Sequence, residues 1–490
     1  MPVKSVFLHL TRLWLSGGRW VVMFASLVFF AWCYLQAFQR QGKAGASIHE
    51  QERMYLNAAI ETRRDLTPDF SKGVSKPLND WLPHHTDGVV RPLWPWLAAW
   101  SVAADHVSAS SLSAEDHRVL RSGKRWLFGL SLGFLLMLGL AAARAFSVPA
   151  ALLTILTIGF GVLLPSAAIF SPDVLFQLLF LLTWVCCIAA LKRNSLWLYG
   201  VIGFFSALAN LTLPSATTLV LVFIFVSTLR WLWGMILAYW SQEGGTTLWV
   251  WRNHWLGMIL LAVCHLITVG PMLAHSKEKL GDAAPFFWRW FDDENAMRQW
   301  TAAHQTREAL QAVPVGEVPS YANYLESHAS DAVSARLSQG SMQMIESVLQ
   351  WPWGFGSLPH ERGVFVAVLT AVLVLLILIV WFVAPRASHA GQALHPETAP
   401  LVFFTVLAFV VCTLDFGWDM PVLTWGSRHL ALYPPLVLSL LWASEALVNR
   451  ARRRKMRLPV FVIYETILWS LCALAVWRVI AVLQPASFTA

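Results

Sequence analysis

The residues of this chain best suited to chemistry are a few charged side chains lying next to long apolar runs. They are Glu50 and Glu52 after the first run, Arg91 before a tryptophan-rich stretch, Asp173 at the head of another run, and the Arg428-His429 pair late in the chain. A carboxylate near a lipid–water boundary can accept a proton from a hydroxyl, and an arginine there can grip a phosphate through two parallel hydrogen bonds. Such a set suits group transfer from a lipid phosphate. His84, His85 and Asp87 also lie close together, but their spacing matches no metal-ligand motif, and no metal site is read from them.

The elements that must position these groups are membrane spans. Of 490 residues, 57% are hydrophobic and 13% charged, and the apolar residues come in blocks about 20 long instead of alternating with polar ones. At about 20 apolar residues per crossing, the runs amount to about eleven spans. They fall near Trp20–Phe38, Trp126–Ala145, Pro149–Leu164, Pro172–Leu191, Leu196–Leu213, Ser215–Leu237, Trp255–Ala274, Val364–Val383, Leu401–Leu414, His429–Leu447 and Leu458–Leu483. The expected fold class is therefore all-α and polytopic. The 27 tryptophans fit a chain with many headgroup-level contacts. All six cysteines sit within apolar runs and behave as small hydrophobes, with no disulfide framework.

The net charge of +8 could suggest nucleic acid, but the basic residues collect in short stretches beside spans, as in Arg450 to Arg457. That is the positive-inside pattern, so no nucleic acid is expected as a partner. With the N-terminus inside, Lys192, Arg193, Arg230, Arg252, Arg386 and the Arg450 run all fall in inner loops. Residues 39–125 and 275–362 then lie outside, and the chemistry belongs on the outer face of an inner or plasma membrane. The domain division is a membrane module over 1–274 that includes the first outer loop, a cap over 275–362, and C-terminal helices over 363–490. Within the first loop, Pro92 to Trp100 is too short to cross and reads as an interfacial helix with its tryptophans at headgroup depth. In the second, Asp292-Asp-Glu294 suits a helix N-terminus.

A charge inside a span costs about 2.5–3.5 kcal/mol on insertion scales, and most spans carry none. Glu445, Glu465, Arg478 and His265 are the main exceptions, read as satisfied or snorkelling side chains. A transporter or flippase would be expected to show charges along a central path and internal two-fold repetition, and neither is evident.

The order of features resembles the polytopic glycosyltransferases of the GT-C class, in particular the bacterial relatives of protein mannosyltransferases and aminoarabinose transferases. The likeness is carried by His49-Glu-Gln-Glu-Arg-Met-Tyr55, Arg91-Pro-Leu-Trp-Pro95, Ser171-Pro-Asp-Val-Leu175, the glycine-bearing Leu198-Tyr-Gly-Val-Ile-Gly-Phe204 and Ser427-Arg-His-Leu-Ala-Leu-Tyr-Pro-Pro435. The resemblance implies a GT-C-like fold, a polyprenyl-phosphate-linked sugar as donor, and an outer-face glycan, lipid or protein as acceptor, with membrane lipids around it and no cofactor. It implies Glu52 or Glu50 as catalytic base, and Arg91, Asp173, Arg428 and His429 as substrate-binding residues. The family often has Asp-Glu where this chain has Gln51-Glu52, so the base is Glu52, Glu50, or neither; it often has Arg-Tyr where this chain has Arg428-His429. A non-catalytic membrane subunit of the same architecture is the alternative that Gln51 favours.

Overall fold

In the computed structural model the described residues are 19–44, 52, 55–60, 62, 91–100, 114–193, 195–241, 244–280, 287–303, 312–314, 317, 319–350, 398–420, 422, 428–453 and 457–483. Among them the chain is helical with no strand. The helices are α1 (Arg19–Ala44), α2 (Leu93–Ala99), α3 (Ala114–Ala145), α4 (Val148–Ala168), α5 (Asp173–Arg193), α6 (Leu196–Asn210), α7 (Ala216–Ser241) and α8 (Gly244–Leu280). After a 3-10 turn at Phe287–Trp290 come α9 (Glu294–Ala303), α10 (Tyr321–Ser327), α11 (Ser330–Gln350) and α12 (Thr398–Asp419). A second 3-10 turn at Arg428–Leu432 leads into α13 (Tyr433–Arg453) and α14 (Arg457–Leu483).

Six of these helices are long and apolar enough to cross a membrane: the Leu120–Ala145 part of α3, α4, α5, the Ala216–Ile236 part of α7, the Asn253–Ala274 part of α8, and the Pro400–Asp419 part of α12. Shorter apolar stretches lie in α1, α6 and α14. Of the other expected spans, α6 has only 15 residues, α13 carries Glu445 and a basic end, and α1 and α14 are helices of 26 and 27 residues whose described apolar stretches are Met23–Gln36 and Val462–Trp477. The expected span Val364–Val383 lies outside the described residues.

Side-chain pairs fix the helix directions. The Tyr34 hydroxyl donates to Ser131 Oγ at 2.9 Å, Phe38 meets Phe128, and Gly139 faces Leu27, so α1 and α3 are antiparallel. The return along α4 sets Gly159 against Leu135 and brings Phe170, just beyond the helix, against Gly123. A π-helical turn at Gly159–Leu163 widens α4 where Phe160 meets Tyr34. In the other half, Phe176 and Phe180 of α5 pack on Phe416 of α12 while Trp184 packs on Phe404 and Phe409, again antiparallel.

The tightest contact is between α6 and α8. A Cβ on Gly203 would collide with the Leu261 carbonyl oxygen, and one on Gly257 would meet the Tyr199 ring at 2.8 Å. Small residues let membrane helices approach where apolar burial gives no net drive, because lipid is as apolar as leucine. Several polar groups inside the bundle find partners: Ser206 and His265 lie 3.0 Å apart, and Thr154, Thr157, Thr183 and Thr212 each donate to the carbonyl four residues back.

These directions sort the polar residues by bundle end. One end collects the C-terminus of α1, the N-terminal part of α3, the α4–α5 and α6–α7 connections, the end of α8, the Phe287–Trp290 turn, α10, α11 and the end of α12. The opposite end collects Arg144, Lys192 and Arg193, all exposed, and Ser147, whose amide donates to Glu445 Oε1 at 2.6 Å. The described residues of the two segments that charge bias assigns to one side therefore lie at one end of the bundle.

The described residues of the first of those segments are helical and partly buried. α1 continues to Ala44, residues 55–60 are helical, and α3 starts at Ala114, twelve residues ahead of the expected span. The expected interfacial helix packs against the bundle: Trp94 is 0% exposed, its ring 5.3 Å from Phe170 and 5.9 Å from Trp126, and the Leu93 amide donates to the Leu211 carbonyl. Only Trp100, 63% exposed, remains placed as an anchor of the expected kind.

Candidate functional site

Glu52 is the centre of the polar arrangement at this end. It is 1% exposed, and its Oε1 accepts from two groups: Lys124 Nζ at 2.6 Å and the backbone amide of Phe170 at 2.9 Å. A buried carboxylate is tolerable only when paired and hydrogen-bonded, and both conditions are met by elements distant in sequence. The arrangement depends on close approach. Gly123, one residue before Lys124, has no Cβ to keep α3 away from the Phe170 ring.

Phe170 joins the candidate segments into one wall. Its amide holds Glu52, its ring packs on Trp94 of the Arg-Pro-Leu-Trp-Pro stretch, and three residues later Asp173 opens α5. Asp173 is 1% exposed in the first turn of its helix, where the aligned peptide dipoles favour a negative charge. Arg91 is 8% exposed, and its Nη1 donates to the Met272 sulfur at 2.7 Å, near the end of α8. His429 is half-buried in the 3-10 turn that packs against α5, α11 and α12. Glu52, Arg91, Asp173 and His429 thus belong to elements that meet at one end of the bundle. Glu50 lies outside the described residues, as do the Arg428 side chain and His84, His85 and Asp87.

Beside this wall lies a second charged cluster, which the sequence reading did not identify. Arg289, in the 3-10 turn before α9, donates through Nε to Asp419 Oδ1 at 2.8 Å and through Nη2 to Asp415 Oδ1 at 2.7 Å. Burial works against the guanidinium charge, but Asp419 and Asp415 outweigh it and hold Arg289 above its ordinary range. Arg336 of α11 donates to the carbonyls of Trp418 and Arg289 and lies over the Trp418 and Tyr324 rings at 4.5 and 5.0 Å. These contacts fasten the 3-10 turn at Phe287–Trp290 and α11 to the end of α12.

The acidic run next to Arg289 behaves as a helix start. Asp293 Oδ1 accepts from the Ala296 amide at 2.8 Å, an N-cap of α9, while Asp292 accepts from the Tyr324 hydroxyl and pairs with His328. Sequence reasoning missed Lys124 because it fell within a stretch taken as loop. It missed Arg289 because one arginine among aromatic residues, in Phe287-Trp-Arg-Trp290, carries no spacing signal.

No protein-family model matches the chain, and no curated protein sequence matches it.

Proposed function

We propose that this chain is a membrane glycosyltransferase of the GT-C class that moves a sugar from a polyprenyl-phosphate donor to a hydroxyl of an outer-face glycan, lipid or protein. On this reading the chain crosses an inner or plasma membrane about eleven times. The crossings are the six long apolar helices, α1, α6, α13, α14 and the Val364–Val383 stretch.

The observation that carries the proposal is the convergence on Phe170. Three stretches that are weak motifs singly, the Glu52 segment, Arg91 to Pro95 and Ser171 to Leu175, meet through the Phe170 amide, its ring and its place just before Asp173. In the reaction Glu52, or Glu50, takes the proton of the acceptor hydroxyl as its oxygen bonds to the anomeric carbon. The bond from that carbon to the phosphate oxygen breaks, and polyprenyl phosphate leaves on the opposite face, inverting the centre. Arg91 and Arg428 hold the phosphate, and Asp173 and His429 hold the sugar or acceptor.

Purified protein given a panel of radiolabelled polyprenyl-phosphate sugars tests this directly. Glu52→Gln keeps the shape but cannot take the proton, and should lower turnover by about 10²–10⁴-fold, with Glu50→Gln milder. Full activity in both single variants and the double variant would remove the base assignment. The ion pair to Lys124 also fits a non-catalytic subunit in which Glu52 is only a structural pin; that reading expects no transfer by the wild type and a lower melting temperature for Glu52→Gln.

A further inference from the structure

We infer that Lys124 is the positioning residue of this site, setting the Glu52 carboxylate so that Oε2 is the oxygen that meets the acceptor hydroxyl; the inference rests on the glycosyl-transfer reading. Lys124 Nζ and the Phe170 amide both approach Oε1. Two donors on one oxygen fix the carboxylate in rotation about its terminal bond, and neither uses Oε2. A general base works only when its accepting oxygen is held within hydrogen-bond reach of the proton. The fold holds this one with one donor from α3 and one from the α4–α5 connection.

The position of Lys124 is itself constrained. It stands in helical α3 rather than in a loop, and Gly123 before it lets α3 close on the Phe170 ring, so ammonium and amide arrive at the same oxygen together. The Lys124 side chain keeps 23% of its surface exposed, while that of Glu52 keeps 2%. The pair therefore sits at a boundary, with its cation towards the more open side. When Glu52 takes the acceptor's proton it becomes neutral, and the Lys124 charge is released from its partner in the same step in which the departing phosphate gains a negative charge. The net charge of the site is conserved.

Lys124→Met, Lys124→Arg, Glu52→Gln and the Lys124→Met/Glu52→Gln double variant, assayed with the donor panel, test the role. Misplacement of a reacting group by about 1 Å can lower a rate by about 10²-fold, so Lys124→Met should lower kcat by about 10- to 100-fold with donor KM within about threefold of wild type. Lys124→Arg, which keeps a donor of the same charge, should recover most of that loss. Because the lysine acts through the glutamate, the double variant should turn over no more slowly than Glu52→Gln alone. Wild-type kcat in Lys124→Met, or a further loss in the double variant, overturns the positioning role while leaving glycosyl transfer standing. No turnover by the wild type with any donor overturns the transfer reading and this inference with it. Lost turnover in Lys124→Met and Lys124→Arg alike, with a matching fall in melting temperature, shows a purely structural pin and also overturns it.

Discussion

Replacing Arg289 with methionine should loosen the 3-10 turn at Phe287–Trp290 and α11 from the bundle. The guanidinium joins Asp415 and Asp419, which lie one turn apart on α12, and the Asp419 side chain is only 2% exposed. Methionine keeps much of the volume but leaves two carboxylates facing each other. Removing one partner of a buried pair costs about 3–5 kcal/mol. The Asp415 bond, at 15% exposure, adds little beyond that, since partly exposed pairs contribute about 0–1 kcal/mol. The Arg336 contacts to the Trp418 carbonyl and rings remain, so separation is not complete. At about 1.4 kcal/mol per factor of ten, the open population of this region should rise by roughly 10²–10⁴-fold. Hydrogen exchange followed by mass spectrometry would read this as faster exchange over residues 321–350 with little change in α4 and α5. The triple variant Arg289→Met/Asp415→Asn/Asp419→Asn should recover most of the protection, because the two carboxylate charges are removed together with the guanidinium. Wild-type exchange over 321–350 in Arg289→Met, or no recovery in the triple variant, would refute the account of the cluster as a charge-dependent fastening.

Two further outcomes follow from packing and from sidedness. Gly203→Val should destabilise by about 1–3 kcal/mol, because its Cβ meets the Leu261 carbonyl, which is backbone and cannot swing aside. Gly129→Ala, where a Cβ meets open space, should not lower stability, and equal melting temperatures for the two variants would contradict the close α6–α8 contact. In a background lacking the six native cysteines, an impermeant maleimide applied to intact cells should label a cysteine replacing Ser320 and not one replacing Ser195. The reverse pattern would invert the threading.

The long apolar helices were legible because lipid imposes a one-dimensional rule: a spanning segment must satisfy its backbone internally and be apolar over a fixed length. That rule locates α3, α4, α5, α7, α8 and α12 without knowledge of their neighbours. The same apolar runs also fall on α1, α6, α13 and α14, which are helices within several residues of the expected bounds. The N-cap of α9 was legible for a similar reason, since capping is local to one turn.

What the sequence could not determine was which polar groups are paired. Glu52 reads as one of two glutamates in a stretch following a span, and nothing local separates it from Glu50. Its burial is decided by Lys124 and the Phe170 amide, 72 and 118 residues further along the chain. Arg289 likewise gains its meaning only from Asp415 and Asp419, and Trp94 reads as a membrane-surface anchor until Phe170 and Trp126 are seen to enclose it. The sequence by itself determined that this chain is helical, apolar enough to be a membrane protein and sided in its charge, because each depends on composition along the chain. Only the tertiary structure decided which charges meet, because ion pairs and hydrogen bonds act over about 3 Å, and contact at that range is set by how helices pack, not by spacing in sequence.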